Sequence, residues 1–417
     1  MKTAIIGAGA AGCFCANVLK RLRPYSQIDV YESGQKPLQK VAITGGGRCN
    51  LTNSFAEVRS MNQVYPRGYN LMKRLLKRFD QRATMQWFED EGVRLVTQDD
   101  QCVFPQSQDA MEIVTTLLRG MQGIRIYTNQ RVREISPCNE HSYRISTDSR
   151  SEVYDNVVVT TGGSPKASGL DFLSELALEM VPPVPSLFTF NIGEEGDKDP
   201  ITALMGVVVK QVEVRLPGTN YKADGPLLIT HWGMSGPAIL RLSSYAARWL
   251  ADKGYQATLS VNWMGNLNEE EVRTLLQQRM NEQPKKQIGT VHLLTQRLWN
   301  HLLNKIELSP ERRCAEVGSK QLNKLVATLC NDTYRITGQS RYKEEFVTCG
   351  GVSLTNIDPN TLECKQHRGV YFAGEVLDVD AVTGGFNLQA AWTMGYIAAQ
   401  GILRDFKGRM LIGTHSL

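Results

Sequence analysis

The sequence predicts an α/β protein in which a parallel-sheet domain is interrupted by an inserted β-rich barrel or sandwich and a small helical subdomain. Three observations predict it. Near the N-terminus a short apolar run passes through closely spaced glycines into a helical pattern. A second strand, glycine and helix signal recurs at the far end of the chain, after residue 370. Between the two, the hydrophobic spacing takes first the two-residue period of strands and then that of helices. At roughly 100–200 residues per domain, 417 residues suffice for two or three domains.

Residues 2–6 read as a buried parallel strand. They run into Gly7, Ala8, Gly9, Ala10, Ala11 and Gly12, a GxGxxG, and residues 13–22 then carry apolar side chains at helical spacing. A second strand over 28–31 ends at Glu32 and Ser33, with Glu32 placed 20 residues after Gly12. This is the dinucleotide-binding fingerprint in its full context. Gly7 permits the tight turn, Gly9 lets backbone approach a pyrophosphate, and Gly12 lets helix and strand pack closely. The helix start offers free N–H groups and a positive dipole end to phosphates. Glu32 suits the hydroxyls of an adenosine ribose and would repel a 2′-phosphate. The fingerprint alone does not separate FAD from NAD.

Further glycine turns follow. Residues 44–50 (Thr44, Gly45, Gly46, Gly47, Arg48, Cys49, Asn50) form a glycine-rich loop that suits close approach to a large flat ligand, with Lys40 just before it. A β-branched strand over 157–161 ends in Thr161, Gly162 and Gly163, and a short strand at 125–127 leads toward Val132. Residues 370–373 form a last strand, followed by Gly374 and Glu375. Gly385, Phe386, Asn387, Leu388 and Gln389 then open a helix running to about 403. The two ends of the chain are expected to build one site.

KVAITGGGRCNLTNS at 40–54 and AGEVLDVDAVTGGFNLQAAWTMG at 373–395, with the opening fingerprint, Gly162 and Gly163, resemble the BaiN/YhiN-like flavoproteins, a family of NAD(P)/FAD-dependent oxidoreductases that includes enzymes of the aminoacetone oxidase type. Val103, Phe104 and Pro105, and THWGMSGPAIL at 230–240, extend the resemblance over nearly the whole chain. It implies a Rossmann-like FAD-binding domain, non-covalent FAD, and hydride transfer with a small or medium organic molecule. The chemistries it implies are oxidation of amines or aminoketones, or NAD(P)H-dependent reduction of a ring double bond. It also implies that Val132 supplies backbone near adenine, that Glu375 bonds a ribityl hydroxyl, and that the helix opening at Gly385 stabilises reduced flavin through its dipole. The resemblance weakens after Gly163, where SPKASGLDFLSEL keeps only Pro165 and Gly169 and lacks the relatives' longer glycine-rich run.

The expected organisation is a first FAD-binding segment over 1–188, a β-rich insert over 189–265, a helical subdomain over 266–340 and a last FAD-binding segment over 341–417. Strands are expected at 207–216, 226–230 and 258–263, and helices at 268–282, 294–306 and 319–331. Residues 265–343 hold thirteen Lys/Arg against eight Asp/Glu, and a basic helix is expected over 69–82 with Leu71, Leu75, Leu76 and Phe79 as its buried face. The alternative function is therefore a flavoprotein that binds or modifies tRNA through the basic helical insert, although no known RNA-binding motif accompanies it.

Hydrophobic residues at 42% and charged residues at 21% exclude disorder, collagen and coiled coil as descriptions of the whole chain. A net charge of +5 is too mild to indicate a nucleic-acid or membrane protein by itself. Nine cysteines without a CxxC pair point to reduced thiols in a cytoplasm rather than a disulfide framework or a metal site. There is no apolar run long enough to span a membrane. The missing second GxGxxG and redox cysteine pair exclude an enzyme of the glutathione-reductase type. Any NAD(P)H would then bind as a transient donor, or the electrons would come from the substrate and go to oxygen. For catalysis the residues offer only His231, in the Gly/Pro-dense segment before Pro237, and Cys49 inside the glycine loop. A hinge histidine and a small packed thiol are the alternatives.

Overall fold

A computed structural model describes residues 1–139, 141–164, 166–194, 197–339 and 347–413, with side chains through residue 404. Pro165 and the expected boundary at 340/341 lie outside the described residues. The chain forms two compact units, Met1–Val184 with Val347–Leu417, and Pro185–Phe346.

In the first unit, β1 (Lys2–Ile6), α1 (Ala10–Leu22), β2 (Gln27–Tyr31) and α2 (Gln39–Gly47) follow one another, succeeded by β3 (Arg125–Tyr127), β4 (Asn156–Val159), β5 (Val370–Phe372) and the long α3 (Phe386–Gly413). The five strands make one parallel sheet in the order β5-β4-β1-β2-β3. The chain moves outward from β1 to β2 and β3, then returns to pair β4 with the other side of β1. That reversal opens a crevice at the carboxyl ends of β1 and β4, where open α/β sheets bind ligands. Ile6 pairs with both Tyr31 and Val159, Tyr31 pairs with Tyr127 and Val159 with Phe372, so all five strands end level. All residues of β4 are buried, as a central parallel strand requires.

The helices close over this sheet through a cluster of rings. Phe14 of α1 lies 4.7 Å from Trp87 and 5.5 Å from Trp392 of α3. Gly395 permits the closest approach of the two helices, since a Cβ there would stand 2.6 Å from the Ala11 oxygen. A three-stranded antiparallel sheet over 132–154 is stacked on the same unit.

The basic helix expected over 69–82 is two helices, Tyr69–Leu75 and Gln81–Asp90. Asp80 causes the break: its side chain accepts the Ala83 N–H at 2.9 Å and starts the second helix. The expected apolar face is nevertheless buried throughout, from Leu71 to Phe79.

In the second unit, six antiparallel strands close into a barrel, because the strand at 190–194 pairs with 233–235 on one side and 332–339 on the other. Helices Glu269–Glu282, Gln296–Lys305 and Ser319–Cys330 bury Leu276, Trp299 and Leu325 in the core that the barrel residues Val212, Leu227 and Val261 also fill. Strand-rich and helical parts therefore form one unit, with no break near 265, because neither has a separate core. A buried Asp332 ties them together, accepting from Trp263 Nε1 at 2.9 Å and from the Tyr334 hydroxyl, and pairing with Lys305.

Candidate functional site

The crevice at the level strand ends collects most of the residues singled out from the sequence. Gly7, at φ +105°, continues β1, and its N–H donates to Tyr31 O at 2.7 Å. A Cβ on Gly7 would stand 2.5 Å from Thr160 O, and one on Gly12 would stand 2.0 Å from Gly7 O. At those two glycines the side-chain direction is filled by protein. Gly9 is different: a Cβ there would meet nothing within 4 Å, and the same holds for Gly46, Gly47 and Gly162. The glycines thus divide into those that allow packing and those that leave bare backbone beside open space, as a bound nucleotide or flat ring requires.

α1 begins at this open face. Its N-cap, Gly9, brings no side-chain cap, and its first turn, with Ala10 and Ala11, has no acidic residue. The uncapped N–H groups and the helix dipole suit a phosphate. Glu32 lies at the end of β2, half-buried, with Oε2 accepting Ala8 N–H at 2.9 Å and Oε1 accepting Gly34 N–H at 2.6 Å. These bonds fix the carboxylate and leave lone pairs for ribose hydroxyls. Exposed Ser33 bonds the same carboxylate at 3.4 Å. The Asn129 and Gln130 amides donate to Gly34 O and Glu32 O, bringing the segment before buried Val132 to this edge.

α2 is tied to the fingerprint through Leu38 N–H, which donates to Ala8 O at 2.8 Å. Its last turn is not helical, as Thr44 is extended and Gly45 and Gly46 take φ of +60° and +69°. Exposed Arg48 lies over the Phe104 ring at 4.5 Å and bonds Gly45 O at 3.1 Å. Lys40 at the start of α2 approaches Glu375 to 4.0 Å, joining the two ends of the chain. Glu375 also accepts Thr348 N–H at 2.7 Å, and a Cβ on Gly163 would stand 2.4 Å from its Oε1. Gly374 lies against Ala11, where a Cβ would come to 3.1 Å.

The start of α3 enters from the same side. Gly385, at φ +87°, leaves no room for a Cβ, which would stand 2.3 Å from Thr52 O. The Asn50 amide, oriented by its neighbours, accepts Gly385 N–H at 3.2 Å and donates to Thr52 O at 3.0 Å. Asn387 brackets Ala381 with two bonds of 2.9 Å. Leu388 is half-buried, and no acidic residue occupies the first turn of α3. Phe386 is buried, with Tyr65 donating to its carbonyl at 3.0 Å. Gln389 faces away from open space: it is fully buried, and its amide joins Thr52, Thr84 and Thr393.

The two residues considered for catalysis lie in different surroundings. Cys49 is fully buried at φ +59°, and burial pushes its thiol up to about 12, so it is neutral near pH 7. Thr161 is exposed beside Gly162. His231 belongs to the second unit, exposed in a barrel turn with its ring 4.4 Å from Trp232. The glycines of that segment answer to barrel packing, since a Cβ on Gly233 would stand 2.2 Å from Phe190 O. Pro237 then opens the helix Pro237–Tyr245.

Two features escaped the sequence reading. Thr160 binds the fingerprint turn, and only its place before Thr161 and Gly162 hinted at it. Arg67 and Asp380 form a buried bidentate ion pair beside the start of α3, with nothing in the local sequence to link residues more than 300 apart. Among the described residues no cluster of His, Cys, Asp or Glu could hold a metal ion. No helix among them is long and apolar enough to cross a membrane, and no disulfide joins any of the nine cysteines.

The HI0933-like protein Rossmann domain family matches residues 1–401. The ribosomal RNA dihydrouridine synthase of Haemophilus influenzae is 28% identical, over 96% of this chain and 98% of its own length. The ribosomal RNA dihydrouridine synthase of Escherichia coli is 27% identical, over 96% and 97%. The 3-dehydro-bile acid delta(4,6)-reductase of Clostridium scindens is 25% identical, over 95% and 97%.

Proposed function

The chain belongs to the HI0933-like family, and on that premise we propose that it is an FAD-dependent oxidoreductase that reduces a carbon–carbon double bond conjugated to a carbonyl. The names of the relatives support this chemistry from two directions. Dihydrouridine is uridine saturated at the ring double bond next to a carbonyl. A 3-dehydro compound unsaturated at positions 4 and 6 has its double bonds conjugated to the 3-carbonyl. In both, a hydride adds to the carbon remote from the carbonyl and a proton to the nearer one, so two electrons and two hydrogens balance the step. Bound FAD would supply the hydride, with NAD(P)H as the transient donor that restores it.

The observation that carries the reading is the bare backbone at Gly9 and Gly162, which follow the level ends of β1 and β4, with Gly46 and Gly47 equally open at the end of α2. The residues fit the cofactor. The N-terminus of α1 would receive the pyrophosphate and Glu32 the adenosine ribose. Glu375, held by Thr348 N–H and Lys40, would accept a ribityl hydroxyl. The start of α3 would stabilise negative charge on the ring edge. Cys49 would act as a packed neighbour of the glycine loop, its raised thiol unsuited to a redox or nucleophilic role. Within this class we favour a uracil ring in ribosomal RNA over a steroid-like enone, as two of the three relatives carry that name. RNA thus enters as ribosomal rather than transfer RNA.

The test is an anaerobic titration of the purified protein with NADPH and then NADH, followed by ribosomal RNA lacking dihydrouridine or by a steroid enone. A flavin spectrum bleached by a nicotinamide and restored by an unsaturated acceptor is expected. A protein without flavin overturns the cofactor. In a parallel sample given amines or aminoketones and then air, a flavin that only these donors bleach and that oxygen restores overturns the reductase in favour of an oxidase.

A further inference from the structure

We propose that the exposed face of residues 73–78, together with Arg404, is a track for the phosphate backbone of an RNA substrate. The proposal rests on the reading of the site as a reductase of uracil in RNA. It names the surface that would hold the polymer.

Lys73, Arg74, Lys77 and Arg78 are all exposed, while Leu71, Met72, Leu75, Leu76 and Phe79 are buried. Four cations therefore share the one face that the core leaves free. Among the described residues, none of the four has a carboxylate at ion-pair distance, and neither does Arg404. Arg74 donates to Asn360 Oδ1 at 3.2 Å and Arg78 donates to the Asn360 carbonyl. A neutral residue thus orients two guanidinium groups without neutralising them, leaving donors for phosphate. Burial, and then the charge of Arg404, hold the Arg78 guanidinium below its ordinary value. Half-buried Asp358 and Glu363 line the same hollow as Arg404, but neither stands at ion-pair distance from the five cations. Asp358 accepts Asn360 N–H at 2.7 Å, Glu363 accepts Gly369 N–H at 2.7 Å, and Asp80 caps its helix.

The track has a direction. At one end Tyr65 bonds Phe386 O, and Arg67 pairs with Asp380 beside the start of α3. At the other, Phe79 stacks on Tyr396 of α3 at 4.3 Å. Residues 65–79 thus run alongside α3 from its site end toward Arg404. From Phe386 to Arg404, 18 residues of helix at 1.5 Å each span about 27 Å. No small molecule bridges that distance. A nucleic-acid strand does so in about eight nucleotides at ~3.4 Å each. An anionic membrane fits less well, since a surface-bound helix needs its apolar face for the bilayer and here that face is in the core. The basic patch of the second unit, Lys285, Lys286, Arg312 and Arg313, is also exposed but is interleaved with exposed Glu311 and Glu316.

The experiment measures binding of deproteinised ribosomal RNA to the flavin-loaded protein against salt concentration. It compares wild type, the triple variant Lys73→Ala/Lys77→Ala/Arg78→Ala, and the variant Lys285→Ala/Lys286→Ala/Arg312→Ala/Arg313→Ala. Each lost phosphate contact lowers the slope of log K against log salt by about 0.7–0.9. The first variant is expected to lose about two in slope and to bind at least tenfold more weakly. It should still bleach with nicotinamide and turn over free small acceptors as wild type does. Unchanged RNA binding in that variant overturns the proposal, as does a loss confined to the second variant. So does binding of wild type to phosphatidylserine vesicles but not to RNA. Failure of the flavin to be reduced in wild type defeats the underlying reductase reading instead, and is scored separately.

Discussion

The Thr160 hydroxyl lies 2.8 Å from the carbonyl oxygen of Gly7 and 3.0 Å from that of Ile6, so a side chain from β4's end holds the turn that leaves β1. The same oxygen would stand 2.6 Å from a Cβ on Gly12. One hydroxyl therefore joins the strand end, the turn and the first helix of the fingerprint.

Thr160→Val keeps the shape and removes the donor. The one hydroxyl proton shared by the Gly7 and Ile6 carbonyls is lost, while Ile6 O keeps the Thr160 N–H at 2.8 Å, at a cost of about 1–2 kcal/mol. Urea unfolding should show this loss, and flavin retention on dilution should fall more steeply than for substitutions elsewhere on the sheet.

Gly12→Ala and Gly9→Ala should separate folding from binding. The first forces a methyl into backbone at 2.0 Å and should destabilise by about 2–3 kcal/mol or prevent folding. The second meets nothing within 4 Å, so it should fold with a loss of at most about 1 kcal/mol at the cap position. The Gly9 variant should purify with much less flavin. Equal flavin content in it and wild type would show that this backbone is not approached by the cofactor.

Arg67→Met leaves Asp380, fully buried, without its bidentate partner. Removing one member of a buried pair costs about 3–5 kcal/mol. Thermal unfolding should report it. Replacing both residues together with apolar ones should recover much of the loss.

Thiol labelling should rank the cysteines by exposure. At pH 8 Cys138, exposed, should react first, and Cys49, neutral because burial pushes it up to about 12, should remain unlabelled in the folded protein. The sign for stability follows. The unfolded thiol ionises near 9 and the folded one near 12, so the protons held by the folded state favour it below 9. That contribution is lost as pH rises from 9 toward 12. Cys49→Ser should flatten the stability profile in that window.

The parts read correctly from the sequence are those with local causes. The fingerprint, its helix and Glu32 lie within about thirty residues, where spacing alone constrains the backbone. The helices of the second unit were legible for the same reason, since apolar side chains repeat at helical period over each. The break at Asp80 was missed because the apolar face continues through it, and only the Asp80 cap reveals the new start. Gln389 shows what adjacency leaves open. It stands in a glycine-rich run like a ligand contact, yet three threonines from separate segments take up its amide.

The sequence by itself determined that two glycine-rich ends would share a parallel sheet, because buried strands, tight turns and helix starts carry their requirements in adjacent residues. Only the tertiary structure decided which glycines serve packing and which leave open backbone, that Thr160 holds the turn, that Arg67 answers Asp380, and that barrel and helices share one core. Those outcomes depend on what stands opposite each residue in space, and adjacency along the chain does not specify it.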